Sequence, residues 1–245
     1  MQSQIEGKNP VLEALRSGRA LNKILISNNM ERSGSVAEIL HLSKTRRVPV
    51  EWVPSDILKR KSRAGSPQGI IAYTSAKEYV DIYDLLEITK SKNCPAFYIM
   101  LDGLEDPHNL GAIIRTADAA GVHGLIVPER RAVPLTDTVA KVSAGAIEYV
   151  PVARVTNLNN TIKILKENNI WVIGLEHKCG KLLYEMDLKL PIALIIGGEG
   201  KGISRLVKEN CDEVVSIPSM GKVSSLNASV AASVAMYEVL RQRMQ

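Results

Sequence analysis

The sequence predicts an α/β protein: a parallel sheet covered on both faces, preceded by a smaller α/β module. Three observations carry this. From residue 96 onward, apolar β-rich runs recur: AFYIML (96–101), GLIV (124–127), YVPV (149–152), WVIGL (171–175), IALIIG (192–197) and VVSIP (214–218). Helical stretches at 112–120, 159–168, 204–210 and 226–243 separate most of them. Runs apolar on both faces that alternate with helices are the mark of a parallel sheet buried on both sides. The third observation is a shift in charge. Residues 1–76 hold twelve Lys/Arg against six Asp/Glu, whereas residues 77–245 hold nineteen against twenty.

In the first third, Asn9-Pro10 ahead of VLEAL reads as a helix start, with Asn9 as cap and Pro10 at the first helical position. Short strands are expected at 23–27, 48–53 and 69–73, with a helix at 36–43 between the first two. The basic stretch KRKSRAGSPQ (59–68) is rich in Gly, Ser and Pro and reads as a loop. Residues 77–94 read as a connector containing an amphipathic piece, IYDLLEIT. The expected domains are therefore 1–76, a linker at 77–94, and 95–245.

Composition narrows the function classes. The 245 residues carry a net charge of +5, with 45% hydrophobic and 23% charged residues, which excludes wholesale disorder. No apolar run approaches the ~18 residues that span a bilayer. The N-terminus lacks the apolar core of a secretory signal, so a cytoplasmic protein is expected. Cys94, Cys179 and Cys211 form no CxxC, so neither a disulfide framework nor a metal site is indicated. Aromatics at 4% argue against a base-stacking platform of the RRM type. The clusters Lys44-Arg46-Arg47 and Lys59-Arg60-Lys61-Arg63 suit a phosphate backbone.

Ligands of parallel sheets bind at the carboxyl ends of the strands. Three segments follow such ends. In LDGLEDPHNLGAIIRTA (101–117), Asn109 suits a helix cap and Arg115 carries a planar fork for a phosphate or carboxylate. His108 lacks a placed partner and reads as a loop hydrogen-bonder. IIGGEGKGI (195–203) fails both the Walker and the dinucleotide spacing, and Glu199 would repel a phosphate. Its glycines instead let backbone approach a ligand closely. IPSMGKVSSLNASV (217–230) leads from a strand into a helix, with Ser225 and Asn227 at the entrance. Leu226, Val230, Val234, Tyr237 and Arg241 form one face of that helix, for the protein body or a second subunit. Glu176-His177-Lys178-Cys179 reads as a solvated loop.

Together the three segments resemble the SpoU/TrmH family of RNA ribose 2′-O-methyltransferases, in the SPOUT superfamily. The motifs are LEDPHNLGAIIRTADA, IIGGEGKGI and IPSMGKVSSLNASVA. GKNPVLEAL resembles the family's small L30e/L7Ae-like substrate-binding domain, and the two-domain length is most like the RlmB-type enzymes. The resemblance implies S-adenosylmethionine as methyl donor, a homodimer through the C-terminal domain and a deep trefoil knot. It implies an RNA partner, 23S rRNA, with no metal, membrane or DNA. By motif position, Asn109, Arg115, Glu199, Ser225 and Asn227 correspond to catalytic or substrate-contacting residues. Gly197, Gly198, Ile217, Met220 and Leu226 correspond to the adenosyl cradle. Ser224 stands where relatives often carry a carboxylate, and Ala228 where many carry a larger residue.

The expected reaction is attack of a guanosine ribose 2′-OH on a sulfonium methyl. The alternatives are a tRNA 2′-O-methyltransferase and a non-catalytic RNA-binding protein. Arg115 is proposed in the family as proton acceptor. A guanidinium with pKa above ~12 suits a phosphate clamp better.

Overall fold

The structure is a computed structural model, describing residues 3–63, 67–75, 77–177, 179–221 and 225–245. It divides into two compact units, residues 1–78 with 134–149, and residues 79–133 with 150–245.

The first unit holds β1 (Ser3–Glu6), α1 (Lys8–Arg16), β2 (Leu21–Ser27), α2 (Ser35–Thr45), β3 (Val50–Val53), α3 (Ser55–Lys61) and β4 (Ile70–Thr74). The sheet order is β1-β4-β2-β3, with β2 and β3 parallel and the other pairs antiparallel. Ile5, Val11, Leu15, Ile24, Ile26, Ile39 and Ile70 form its core. Two local expectations are corrected. Asn9 is not the cap of α1. Gly7, at φ +104°, turns the chain from β1 into the helix, and its N–H donates to the carbonyl of Ile70 at 3.0 Å. Lys59, Arg60 and Lys61 form the last turn of α3 rather than a loop, because Leu58 is buried against the sheet. Residues 64–66 of that stretch lie outside the described residues.

Two further pieces of this unit come from far along the chain: α6 (Asp137–Val142) and a 3-10 turn (Ala146–Glu148). Polar anchors explain the attachment. The Asp137 carboxylate accepts from Ser3 Oγ and the Gln4 N–H, both at 3.0 Å. The Glu148 side chain, 2% exposed, is paired with Arg19 and with Lys77. A buried carboxylate needs such partners, since stranding it costs several kcal/mol.

The second unit holds α4 (Ile82–Lys90), β5 (Phe97–Asp102), α5 (Pro107–Ala119), β6 (Gly124–Pro128), β7 (Val152–Val155), α7 (Leu158–Glu167), β8 (Trp171–Leu175), β9 (Ile192–Gly197), α8 (Arg205–Glu209), β10 (Glu213–Val215) and α9 (Ala228–Arg243). Six strands in the order β10-β8-β9-β5-β6-β7 are all parallel. This is the doubly covered sheet that the apolar runs predict. β8 and β9 match 171–175 and 192–197 residue for residue. YVPV is corrected, because β7 begins only at Val152. The amphipathic piece of the connector is α4, whose Ile82, Leu85 and Leu86 pack into the core with Tyr98, Ile126 and Ile162.

α5 starts five residues before the expected 112. Asp106 caps it by accepting from the His108 N–H at 2.9 Å, and Pro107 takes the first position. Asn109 is therefore inside the helix and its side chain is free for other work. α9 turns its alanines inward: Ala228, Ala232, Ala235 and Met236 are buried, while Leu226 and Tyr237 are 47% and 51% exposed. The Leu226–Arg241 face does not pack on the body.

His123 makes stability pH-dependent. It is 4% exposed, and its Nδ1 accepts from the Phe97 N–H at 3.0 Å, leaving Nε2 toward Cys94 Sγ at 3.2 Å. Burial, with Lys92 and Arg243 nearby, pushes its pKa down to about 4. The unfolded imidazole binds its proton near pH 6.5, so stability is full above that value and falls as pH drops toward 4. The loss is expected to be on the order of 3 kcal/mol. Urea unfolding at pH 7 and pH 4.5, compared with His123→Gln, measures it. Equal pH dependence in both proteins would contradict the assignment.

Candidate active site

The site lies at the carboxyl ends of β8, β9 and β10. A cavity of about 570 Å³ opens there, lined by Leu175, Glu176, His177, Ile196 to Gly202, Ile217, Ser219, Ser225 to Ala228 and Ala231. Apolar side chains (Leu175, Ile196, Ile217, Leu226) and polar groups share its lining, as suits a nucleoside-sized ligand.

The glycine loop after β9 is the central element. Gly198 donates its N–H to the Asp102 carbonyl at 2.8 Å, and Gly202 donates back to Gly198 at 3.1 Å, closing a hairpin. Side chains have no room on the outgoing limb. A Cβ at Gly198 would lie 2.1 Å from the Gly103 carbonyl oxygen, and one at Gly197 would lie 2.2 Å from Gly202 backbone. Both neighbours are backbone and cannot rotate away. Gly198→Ala is expected to shift the loop and weaken binding of the S-adenosylmethionine that the resemblance implies at least tenfold, measurable by calorimetric titration.

At the loop tip, Glu199 gathers two asparagines. Asn109 Nδ2 donates to Glu199 Oε1 at 2.8 Å, and Asn227 Nδ2 donates to the same oxygen at 2.9 Å. Asn109 is 5% exposed. Asn227 also caps α9, its Oδ1 accepting from the Ser229 and Val230 N–H groups. Capping and site geometry thus use opposite ends of one amide. The carboxylate is what allows this, because an ionised oxygen accepts two donors strongly.

Of the residues singled out by sequence, Gly197, Gly198, Glu199, Ile217, Ser225, Leu226 and Asn227 line the cavity, and Asn109 joins them through Glu199. Two stand apart. Met220 is fully exposed and does not line the cavity. Arg115 is an exposed residue of α5. Six residues beyond Asn109, at 100° per residue, it points about 120° away from Asn109's face. Ser224 lies outside the described residues, as does Lys178. Leu175, Glu176 and His177 were missed as site residues. The stretch from Glu176 read as solvated, and the usable signal was its position just beyond an apolar strand. Among the described residues no cluster of His, Cys, Asp or Glu could hold a metal ion, and no helix is long and apolar enough to cross a membrane.

A parallel sheet whose strand-end loops enclose a nucleoside-sized cavity, lined by glycine backbone, one asparagine amide and two carboxylates, defines a ligand-binding α/β class. Comparison with known proteins narrows it. Residues 96–237 match the SpoU rRNA methylase family, and residues 4–80 match the RNA 2′-O ribose methyltransferase substrate-binding family. The chain belongs to the SpoU methylase family. It is 48% identical over 237 residues to YacO of Bacillus subtilis, assigned to the TrmH family of tRNA/rRNA methyltransferases, covering 97% of this chain and 94% of that one. Among solved structures it resembles the SpoU methyltransferase AviRb from Streptomyces viridochromogenes in complex with AdoMet. That match has a TM-score of 0.83 and 26% identity, covering 99% and 91% of the two chains. The AdoMet-bound rRNA methyltransferase from Sinorhizobium meliloti gives a TM-score of 0.79 and 25% identity, covering 98% and 87%.

Proposed function

We propose that this protein transfers a methyl group from S-adenosylmethionine to the ribose 2′-OH of a guanosine in 23S rRNA. The observation that carries the reading is the Asn109–Glu199–Asn227 cluster on the rim of a cavity whose glycine wall is backbone. The cavity suits the methyl donor in size and lining: Gly197 and Gly198 let the loop backbone pack directly against Gly202 and Gly103, and the apolar side chains of the lining suit an adenine ring. Gly197, Gly198, Ile217 and Leu226 would hold the adenosyl group, and Ser225 would fix the loop or a ribose hydroxyl. When bound, the donor supplies an electrophilic methyl on a sulfonium.

The protein's part is alignment, which is worth several powers of ten for an in-line displacement. Glu199 holds Asn109 and Asn227 at the rim, where their amides orient the ribose. Arg115 clamps a phosphate beside the reacting sugar. In this reading a homodimer covers the exposed Leu226–Tyr237 face of α9. Arg115, next to Thr116, whose hydroxyl meets Ser233 of α9 at 3.1 Å, then serves the partner's site. The chain would be knotted at the C-terminal end of the sheet and act in the cytoplasm. Residues 1–76 would grip RNA through their basic excess, in the substrate-binding role of the family they match. The catalytic domain would span 95–245, joined through 77–94.

The test uses labelled S-adenosylmethionine with rRNA and tRNA, each from cells lacking the protein. The expected result is 2′-O-methylguanosine in large-subunit rRNA, mapped by resistance to alkaline cleavage. Label in tRNA alone would overturn the target. RNA binding without methyl transfer or cofactor binding would leave a non-catalytic RNA-binding protein.

A further inference from the structure

The return limb of the glycine loop is held by two side chains that the proposed reaction leaves unused. Glu176, the first residue beyond β8, accepts the Ile203 N–H on Oε1 at 2.8 Å. Asp102, the last residue of β5, accepts the Ser204 N–H on Oδ2 at 2.7 Å. β8 and β5 flank β9, from which the loop springs, so two carboxylates reach consecutive backbone donors from neighbouring strands on either side. Ile203 precedes α8 and Ser204 is its N-cap, so these bonds hold the loop where it runs into the helix.

The contact with Glu176 is built into the backbone. Gly202 sits at φ +63°, and a Cβ there would lie 2.7 Å from Glu176 Oε1. Only glycine leaves the carboxylate room to reach Ile203. On its other side, Glu176 Oε2 faces Lys208 Nζ at 3.8 Å. Ile203 itself is buried in the core beside Val207, so the limb is anchored by packing and by charge-assisted hydrogen bonds.

We propose that Asp102 and Glu176 are positioning residues, a pair of carboxylates that clamp the return limb of the glycine loop and thereby set affinity for the methyl donor. The proposal rests on the reading that the cavity takes S-adenosylmethionine. Asp102 lies outside the cavity lining, and Glu176 lines the cavity while its carboxylate grips the loop. Each acts through the loop that walls the cavity and carries Glu199.

The experiment compares Asp102→Ala and Glu176→Ala with Asp102→Asn and Glu176→Gln, all in the full chain. Each alanine variant is expected to raise the S-adenosylmethionine Kd and KM about tenfold, the worth of one lost charge-assisted hydrogen bond. kcat at saturating donor should change less than about threefold, because the bound ligand re-forms the loop. The amide variants keep an acceptor oxygen and should restore the Kd to within about threefold. Unchanged Kd in the alanine variants, or amide variants as weak as alanine, would overturn the clamp. A second readout needs no ligand: hydrogen exchange at the Ile203 and Ser204 amides should quicken in the alanine variants and not in the amide ones. Unchanged exchange would also overturn it. If the wild type binds no S-adenosylmethionine, the cofactor reading fails while the exchange data still decide the clamp.

Discussion

Glu199→Ala is expected to slow methyl transfer by about 10²-fold or more at saturating donor and RNA. The reason is geometric. One oxygen, Oε1, accepts from Asn109 and from Asn227, so removing it frees both amides at once. Asn109 is buried and would be left with an unpaired donor, costing about 1–3 kcal/mol in the site. The asparagine variants separate structure from function. Asn109 lies inside α5, where alanine is a good helix former, so Asn109→Ala should lose activity with little loss of stability. Asn227→Ala should lose activity and about 1 kcal/mol, because the α9 cap goes as well. Asn227→Asp keeps a capping oxygen but replaces the donor with a charge facing Glu199. It should therefore melt like the wild type and turn over poorly. An active Asn227→Asp enzyme would remove the cluster from the mechanism and leave Asn227 as a cap alone.

Arg115→Ala should be as damaging, for a different reason. Arg115 is exposed on α5 and lies outside the cavity, so its loss should leave the fold within about 0.5 kcal/mol and the donor Kd unchanged. The expected effect is a fall of about 10²-fold or more in kcat/KM for RNA, with a shallower salt dependence of RNA binding from the lost phosphate contact. Arg115→Lys keeps the charge and loses the planar fork, so it should stay at least tenfold below the wild type. Full activity in Arg115→Lys would exclude the bidentate clamp. Mixing an Arg115→Ala chain with an inactive Glu199→Ala chain tests the partner arrangement. Activity recovered in the mixed dimer means that each site takes its arginine from the other copy. No recovery means that each site uses its own.

The attachment of residues 134–149 to the first unit changes how that unit should be removed. A deletion of residues 1–76 would strip Arg19 from Glu148 and uncover Val139 and Ile147, which are buried in the intact protein. Basic residues at the surface are the better target for RNA affinity. Lys44, Arg46 and Arg47 are exposed and stand at the end of α2. Their substitution removes charge and leaves the core alone.

The strands of the parallel sheet and the helices between them were legible in the residues alone. β8 and β9 are legible because both faces of those strands are buried, so nearly every residue must be apolar. The sequence also marked most of the site, because glycine, asparagine and serine are costly inside regular elements and stand out where a strand gives way to a helix. Boundaries set by other contacts were not legible. β7 starts at Val152, α5 starts at the Asp106 cap, and α3 exists because Leu58 finds a buried place. Which of the marked residues meet was set by long-range contacts. Asn109, Glu199 and Asn227 converge because β9 lies beside β5, which leads into α5, and because the start of α9 meets the loop after β9. Such contacts likewise decided that Glu176, on a loop that reads as solvent, grips the glycine hairpin, and that residues 134–149 belong with the first unit. Periodicity reports how one segment is buried. Which segments become neighbours depends on strand order and on long-range hydrogen bonds, and no local pattern encodes these.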